Sequence, residues 1–144
     1  MVGSLGADTI INHRNPLSEE FAAKGLKEVD YVISLNNTEQ HLPEIIKIIK
    51  PQGKFGLIDD PTTLDIKPFK TKAVSVHWEL MFTCSLFKTG DMQEQYDILN
   101  NVAKMIDNGL IKTTVGEINA TNLRKAHQHL ETQTAKGKVI LEGV

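Results

Sequence analysis

Apolar residues along this chain fall into short unbroken runs and into stripes spaced three to four residues apart, the marks of strands and helices respectively. The first run, Thr9-Ile10-Ile11, is bounded by Leu5-Gly6-Ala7-Asp8 and by Asn12-His13-Arg14-Asn15-Pro16 and predicts a short buried strand. Leu17, Phe21 and Ala22 then recur at helical spacing up to Lys24, and Gly25 supplies a stop that tolerates positive φ. Val29 to Leu35 is apolar almost throughout, which predicts a central parallel strand covered on both faces. Asn36-Asn37-Thr38 offers capping side chains, with Gln40 three residues after Asn37. A helix is expected to start between residues 38 and 43, because Pro43 is comfortable only in a first turn. Ile45, Ile46, Ile48 and Ile49 form its apolar face up to Lys50. Pro51-Gln52-Gly53 breaks the helix, and Lys54 to Ile58 forms a strand that ends in Asp59-Asp60-Pro61. The strand, helix, turn and strand make a βαβ unit.

Beyond Pro61 the pattern loosens until Ala73 to Phe82, which opens with strict alternation and predicts a further strand. Asp91 and Glu94 open an amphipathic helix with Met92, Tyr96, Leu99, Val102, Ala103 and Ile106 on one stripe, ended by Gly109. Thr113-Thr114-Val115 reads as a pairing strand, and Asn122 to Thr132 as a helix with Leu123, Ala126 and Leu130 facing inward. Gly137-Lys138 leads into a last strand, Val139-Ile140-Leu141. Strands alternating with helices predict an α/β fold with a mostly parallel sheet.

Composition narrows the function. The 144 residues, 40% of them hydrophobic, suit one core rather than two complete domains. Lys+Arg number 16 against Asp+Glu 18 with no basic block, which argues against nucleic acid and anionic membrane as partners. Cys84 is the only cysteine, so there is no internal disulfide and no thiolate cluster for a structural zinc, in keeping with a reducing cytoplasm. No apolar run approaches the roughly 18 residues that span a bilayer. Met1 to Ser4 lack the regions of a signal peptide and read as a start or an added scar.

Leu5-Gly6-Ala7-Asp8, Val29-Asp30-Tyr31-Val32, Lys50-Pro51-Gln52-Gly53-Lys54, Ala126-His127 and Gly137-Lys138-Val139-Ile140-Leu141, taken in order, resemble successive landmarks of the medium-chain dehydrogenase/reductase family. His77-Trp78-Glu79-Leu80-Met81-Phe82 and Gly90-Asp91-Met92 resemble its quinone-oxidoreductase-like and zinc-type alcohol dehydrogenase-like members. The resemblance implies a partial Rossmann-type, doubly wound sheet, with residues 5–144 as part of a nucleotide-binding domain plus the C-terminal segment of a longer enzyme. In such proteins the G-x-G-x-x-G turn lies upstream of Leu-Gly-Ala-Asp, and the domain with the substrate pocket and any zinc ligands lies further upstream. No G-x-G-x-x-G occurs in this chain. The implied parent is an NAD(P)H-dependent oxidoreductase acting on a quinone, enone or other carbonyl or alcohol substrate. This part alone is expected to be inactive and is assigned no catalytic residue.

Ligands of open α/β sheets sit at the carboxyl ends of the strands, which selects three loops. Asn12, His13 and Arg14 follow the first strand, at the adenosine end by resemblance. Arg14 suits a 2′-phosphate, favouring NADP with NAD as the alternative. Ser34, Leu35 and Asn36 follow the next strand, and Ile58 and Asp59 the third, where the family lines the cofactor's ribose and nicotinamide. Asn37 reads as a helix cap. By resemblance Phe82 and Lys138 lie near the nicotinamide and the cofactor edge, although core packing is the commoner role for such a phenylalanine. Of the histidines 13, 41, 77, 127 and 129, the last two are two apart on a helix, the wrong spacing for a zinc pair, so no metal site is expected here. Cys84 reads as a buried thiol. Ala73 to Trp78 lacks a proline or lysine to blunt an edge and is the expected homodimer contact. The rival readings are an oligomerisation module and a free-standing α/β domain with an unrelated ligand.

Overall fold

The computed structural model describes residues 2–112, 115–119, 122–132 and 137–142. The chain divides into two compact units, Met1–Thr89 and Gly90–Val144. In the first, helix α1 (Leu17–Ala23) precedes strand β1 (Val29–Ser34), helix α2 (Thr38–Ile48), strand β2 (Ile49–Leu57), a 3-10 segment at Lys67–Lys72, strand β3 (Ser75–Trp78) and helix α3 (Thr83–Phe87). The three strands form a parallel sheet in the order β1-β2-β3. The second unit holds helix α4 (Gln93–Asp107), strand β4 (Val115–Asn119), helix α5 (Leu123–Glu131) and strand β5 (Lys138–Glu142), with β4 and β5 paired in parallel. All described strand pairs are parallel, but they lie in two sheets rather than one. Residues 113 and 114 of the expected strand at 113–115 lie outside the described residues.

The core of the first unit sits between α2 and one face of the sheet. Ile49, Phe55 and Leu57 of β2 cluster with Leu42 and Ile45 of α2 and with Phe69. The rings of Phe55 and Phe69 lie 5.2 Å apart. Lys72 fixes the far end of α2, its ammonium donating to the carbonyls of Ile49 at 2.6 Å and Lys47 at 3.1 Å. A cation there meets the negative end of the helix dipole. Glu44 ties α1 to α2, accepting from the Ser18 N–H at 3.0 Å and the Ser18 hydroxyl at 2.7 Å. The neighbouring Lys47 and these Ser18 donors hold the Glu44 carboxyl down at about 2.

Several expectations are corrected. Thr9–Ile11 do not form a strand, and Ile10 is exposed. A strand exists only through its ladder, and no described strand pairs with this segment. β1 is an edge strand, not a central one. Val32 and Ser34 face the core, while Tyr31 and Ile33 on the other face are 68% and 71% exposed. Pro43 lies inside α2 rather than in its first turn, tolerated at an exposed position. Ile49 belongs to β2, and Pro51-Gln52-Gly53 is a bulge in that strand: Val29 faces Ile49, whereas Tyr31 faces Lys54. Gln52 takes φ 62 there. Gly53 is needed because a Cβ would fall 2.8 Å from Ile49 Cγ1 and 2.9 Å from the Lys50 carbonyl. The strand expected over 73–82 is confined to Ser75–Trp78, and α3 follows it. In α5, Ala126 is buried but Leu123 and Leu130 are exposed. Cys84 is free and only half-buried.

Candidate functional site

β1 and β2 are adjacent and parallel, so the loops at their carboxyl ends, Ser34 to Asn37 and Ile58 to Asp60, emerge side by side. Thr38 joins them. It is the first residue of α2 and is fully buried. Its N–H donates to Asp59 Oδ2 at 2.9 Å and its hydroxyl also donates to the Asp59 carboxylate. The same hydroxyl lies 2.7 Å from Ser34 Oγ. A carboxylate can only accept, so the Thr38 proton serves Asp59 and the proton of Ser34 serves the contact between the two hydroxyls. The Thr38 hydroxyl, then its N–H, hold the Asp59 carboxyl below its ordinary range. Asp59 thus takes the capping role expected of Asn37. Asn37 occupies the cap position at φ 54, but its side chain makes no capping hydrogen bond. Its N–H donates instead to Asn36 Oδ1 at 2.9 Å.

Two open clefts flank this junction and share Asn36. One, of about 580 Å³, is bordered by Asn36, Asn37, Glu39, Asp59, Asp60 and Thr62. The other, of about 410 Å³, brings Ser34, Leu35 and Asn36 together with His13 and His41, over Leu17 and Ile45. The two histidine rings meet edge to face with centroids 6.0 Å apart, although 28 residues separate them in sequence. Asn12 and Arg14 lie in an exposed turn. Glu20 accepts from the Asn12 N–H at 3.1 Å and the Asn15 amide at 2.6 Å, and Asn12 Oδ1 accepts from the Arg14 N–H at 3.2 Å. The Asn15 amide first, and then the Asn12 N–H, hold the Glu20 carboxyl below its ordinary range. Among the described residues no ion pair engages the Arg14 guanidinium. Ile58 is 49% exposed beside Asp59. Phe82 is 54% exposed just before α3, so it is not a core residue. Lys138 begins β5 in the C-terminal unit.

Sequence reasoning missed Thr38 and His41. The signal for Thr38 was its place directly after Asn36-Asn37, where a helix starts at the carboxyl end of a strand. Nothing local pointed to His41, which reaches the cleft only because α2 packs against α1.

The first cleft fits a hydroxyl-bearing group better than a phosphate. It is bordered by three carboxylates and by amide and hydroxyl side chains, with no cation among its bordering residues. Asp59 already occupies the N-terminus of α2, the place where a helix would receive an anion. Ribose hydroxyls suit this chemistry and a pyrophosphate does not. Zinc finds no counterpart: among the described residues no three His, Cys, Asp or Glu side chains cluster to hold a metal ion. Among the described residues no helix is long and apolar enough to cross a membrane.

Residues 5–141 match the zinc-binding dehydrogenase family. A zinc-type alcohol dehydrogenase-like protein of Staphylococcus aureus is 30% identical over 142 residues, which are 95% of this chain and 42% of that protein. The chain therefore spans about two fifths of the length of the curated relatives it matches. A crystal structure from Rhizobium etli CFN 42, assigned as a zinc-dependent alcohol dehydrogenase, superposes with a TM-score of 0.87 at 47% identity, over 99% of this chain and 43% of that one. An NAD-dependent alcohol dehydrogenase at 21% identity and TM-score 0.72, over 99% of this chain and 40% of that one, shares the fold. A match over nearly the whole sequence, on parallel strands whose carboxyl ends carry the clefts, makes this chain a member of the zinc-binding dehydrogenase family, within the medium-chain dehydrogenases/reductases.

Proposed function

We propose that this chain is a C-terminal cofactor-domain fragment, inactive alone, of an NAD(P)H-dependent oxidoreductase acting on quinone, enone or other carbonyl or alcohol substrates. The observation that carries the reading is the meeting of Ser34, Leu35 and Asn36 with Ile58 and Asp59 at the ends of two adjacent parallel strands. Asn36, exposed in both clefts, offers a donor and an acceptor to ribose hydroxyls. Leu35 and Ile58, both exposed, present apolar walls to a flat ring. Thr38 keeps the two loops at a fixed spacing, and the remaining lone pairs of Asp59 can accept from a hydroxyl. Phe82 extends the proposed site toward the nicotinamide, and Lys138, in the C-terminal unit, is proposed for the cofactor edge on the family resemblance alone. The bound cofactor supplies the hydride, and the protein supplies orientation.

Asn12, His13 and Arg14 take the adenosine end in this proposal, with the Arg14 guanidinium on a 2′-phosphate. NADP is therefore preferred over NAD. In a protein that joins this sequence to a glycine turn, Arg14→Ala should raise the KM for NADPH by about fivefold or more, one charge-assisted contact being lost. The KM for NADH should barely change, as followed by loss of reduced-cofactor absorbance. Equal effects on both would remove the NADP preference. The 144-residue chain alone should bind NADPH far more weakly, since it encodes no glycine turn. Micromolar affinity in a fluorescence titration would contradict this.

Homodimerisation through residues 73–78 belongs to the same proposal. β3 lies at the open edge of its sheet, and Trp78 is 61% exposed. Light scattering should show a dimer that Val76→Lys dissociates; a monomeric parent chain rules the contact out. The cytoplasm remains the proposed compartment, on the strength of a single cysteine.

A further inference from the structure

The second cleft has a chemistry opposite to that of the first. Three carboxylates border the first, whereas no acidic side chain borders the second, and its titratable groups are His13 and His41. His13 lies exposed in the turn before α1, and His41 half-buried in the first turn of α2. They share the cleft with Ser34 and Asn36 at the carboxyl end of β1. Among the described residues neither imidazole hydrogen-bonds or ion-pairs with another side chain, so beyond their mutual ring contact the ring nitrogens are left to a ligand. The charged groups on the framing elements are Arg14, Glu19 and Glu20 around the start of α1, Asp30 on β1, and Glu39, Glu44 and Lys47 on α2. None of them borders the cleft. Glu20 is held by Asn15, Asp30 by Lys50, Glu39 by Thr63, and Glu44 by Ser18 and Lys47.

We propose that His41, opposed to His13, is a specificity-determining residue: the two imidazoles in their protonated forms grip the 2′-phosphate of the cofactor, so that preference for the phosphorylated cofactor strengthens as pH falls. Imidazole is the side chain whose charge ordinarily changes between about pH 5 and 8. Two imidazolium rings with centroids 6.0 Å apart repel each other unless an anion lies between them, so phosphate binding and proton uptake are coupled. Asn36, whose Oδ1 accepts from the Asn37 N–H, retains an amide N–H pair to donate to the same oxygens. Arg14, which stays charged at every working pH, reaches the phosphate only from the exposed turn and is not among the residues bordering the cleft. The identity of the phosphate rests on the cofactor reading; its recognition rests on the histidine pair.

The test titrates the 144-residue chain with adenosine 2′-monophosphate, adenosine and inorganic phosphate, following the imidazole C–H resonances of His13 and His41 by NMR. None of these probes carries a pyrophosphate, so none depends on a glycine turn. The monophosphate should bind about tenfold more tightly than adenosine at about pH 6, the worth of one charge-assisted contact, and within about twofold of it at about pH 8. The direction is diagnostic. A phosphate monoester gains charge as pH rises through about 6, so a grip by Arg14 alone would strengthen over the same range. His41→Phe, which keeps a ring against His13, should leave adenosine binding unchanged and abolish the pH dependence, with the fold checked by circular dichroism. An advantage that is constant or rises with pH in the wild-type chain overturns the proposal, and needs no variant. So does a His41→Phe chain that keeps the pH dependence, or no response of either imidazole at about 10 mM monophosphate, where even millimolar binding would show. A pH-dependent response to inorganic phosphate that requires His41, with the monophosphate binding no better, supports the phosphate grip and counts against the proposed function.

Discussion

Helix α2 buries Thr38, Leu42, Ile45 and Ile48 among its 11 residues, whereas α4, with 15 residues and an apolar stripe as regular, buries none. Tyr96, Leu99, Val102 and Ile106 remain exposed along that stripe. In the N-terminal unit a helix and three strands share one core. In the C-terminal unit Ala126 is the only buried residue among those whose side chains are described. Period and end signals suffice to form a helix, but burial needs an apolar surface opposite it. An amphipathic stripe therefore records where a partner fits, not that one is present.

The sharpest way to break the comparison is to delete the same kind of apolar mass from each unit. Phe55→Ala, at a site with no exposure and a ring packed on Phe69, should cost about 3–5 kcal/mol. Leu99→Ala on α4, at 70% exposure, should stay within about 0.5 kcal/mol. Urea midpoints followed by Trp78 fluorescence for the first variant and by circular dichroism for the second measure both. Similar costs would mean that α4 is covered in solution.

The next effect separates polar anchoring from apolar packing inside the N-terminal unit. Thr38→Val keeps the shape but leaves Asp59 and Ser34 without the hydroxyl, and should cost about 1–3 kcal/mol. Thr38→Ser, which keeps the hydroxyl, should recover most of it. A harmless valine would show that Asp59 and Ser34 find other partners.

The smallest and most gradual effect is with pH. Glu44 falls from 4.5 to about 2 in the folded state, so its contribution is fully present above about pH 4.5 and is lost as pH drops toward 2. Asp59 and Glu20 are shifted in the same direction. Acid should therefore weaken the N-terminal unit over that window, and Glu44→Gln should be less stable near neutrality but less sensitive to acid. A urea midpoint for the wild-type chain that does not move between about pH 5 and 2.5 would show that these carboxylates are not tied down in the native state.

Much of this was legible along the chain. The landmarks from Leu5-Gly6-Ala7-Asp8 to Gly137-Lys138 pointed to the family, and the glycines at 25 and 109 end their helices at φ 71. The loops at 34–36 and 58–59 were chosen from the strand-end rule and do lie side by side. What escaped was whatever depended on a partner distant in sequence. Asp59 looked like a ligand group 21 residues from Thr38, yet it caps α2. His41 joined the cleft through helix packing.

The sequence by itself determined the family, the order of helices and strands apart from Thr9–Ile11 and α3, and the residues offered at the strand ends, because period, capping and turn chemistry act over a few neighbours. Tertiary structure alone decided that Thr9–Ile11 stay irregular, that β1 is an edge, that Ile49 extends a strand rather than a helix, and that Thr38 binds the two cleft loops together. A ladder, a face and a buried hydrogen bond each need a second segment. Which segment arrives is set by the global packing, not by the residues on either side.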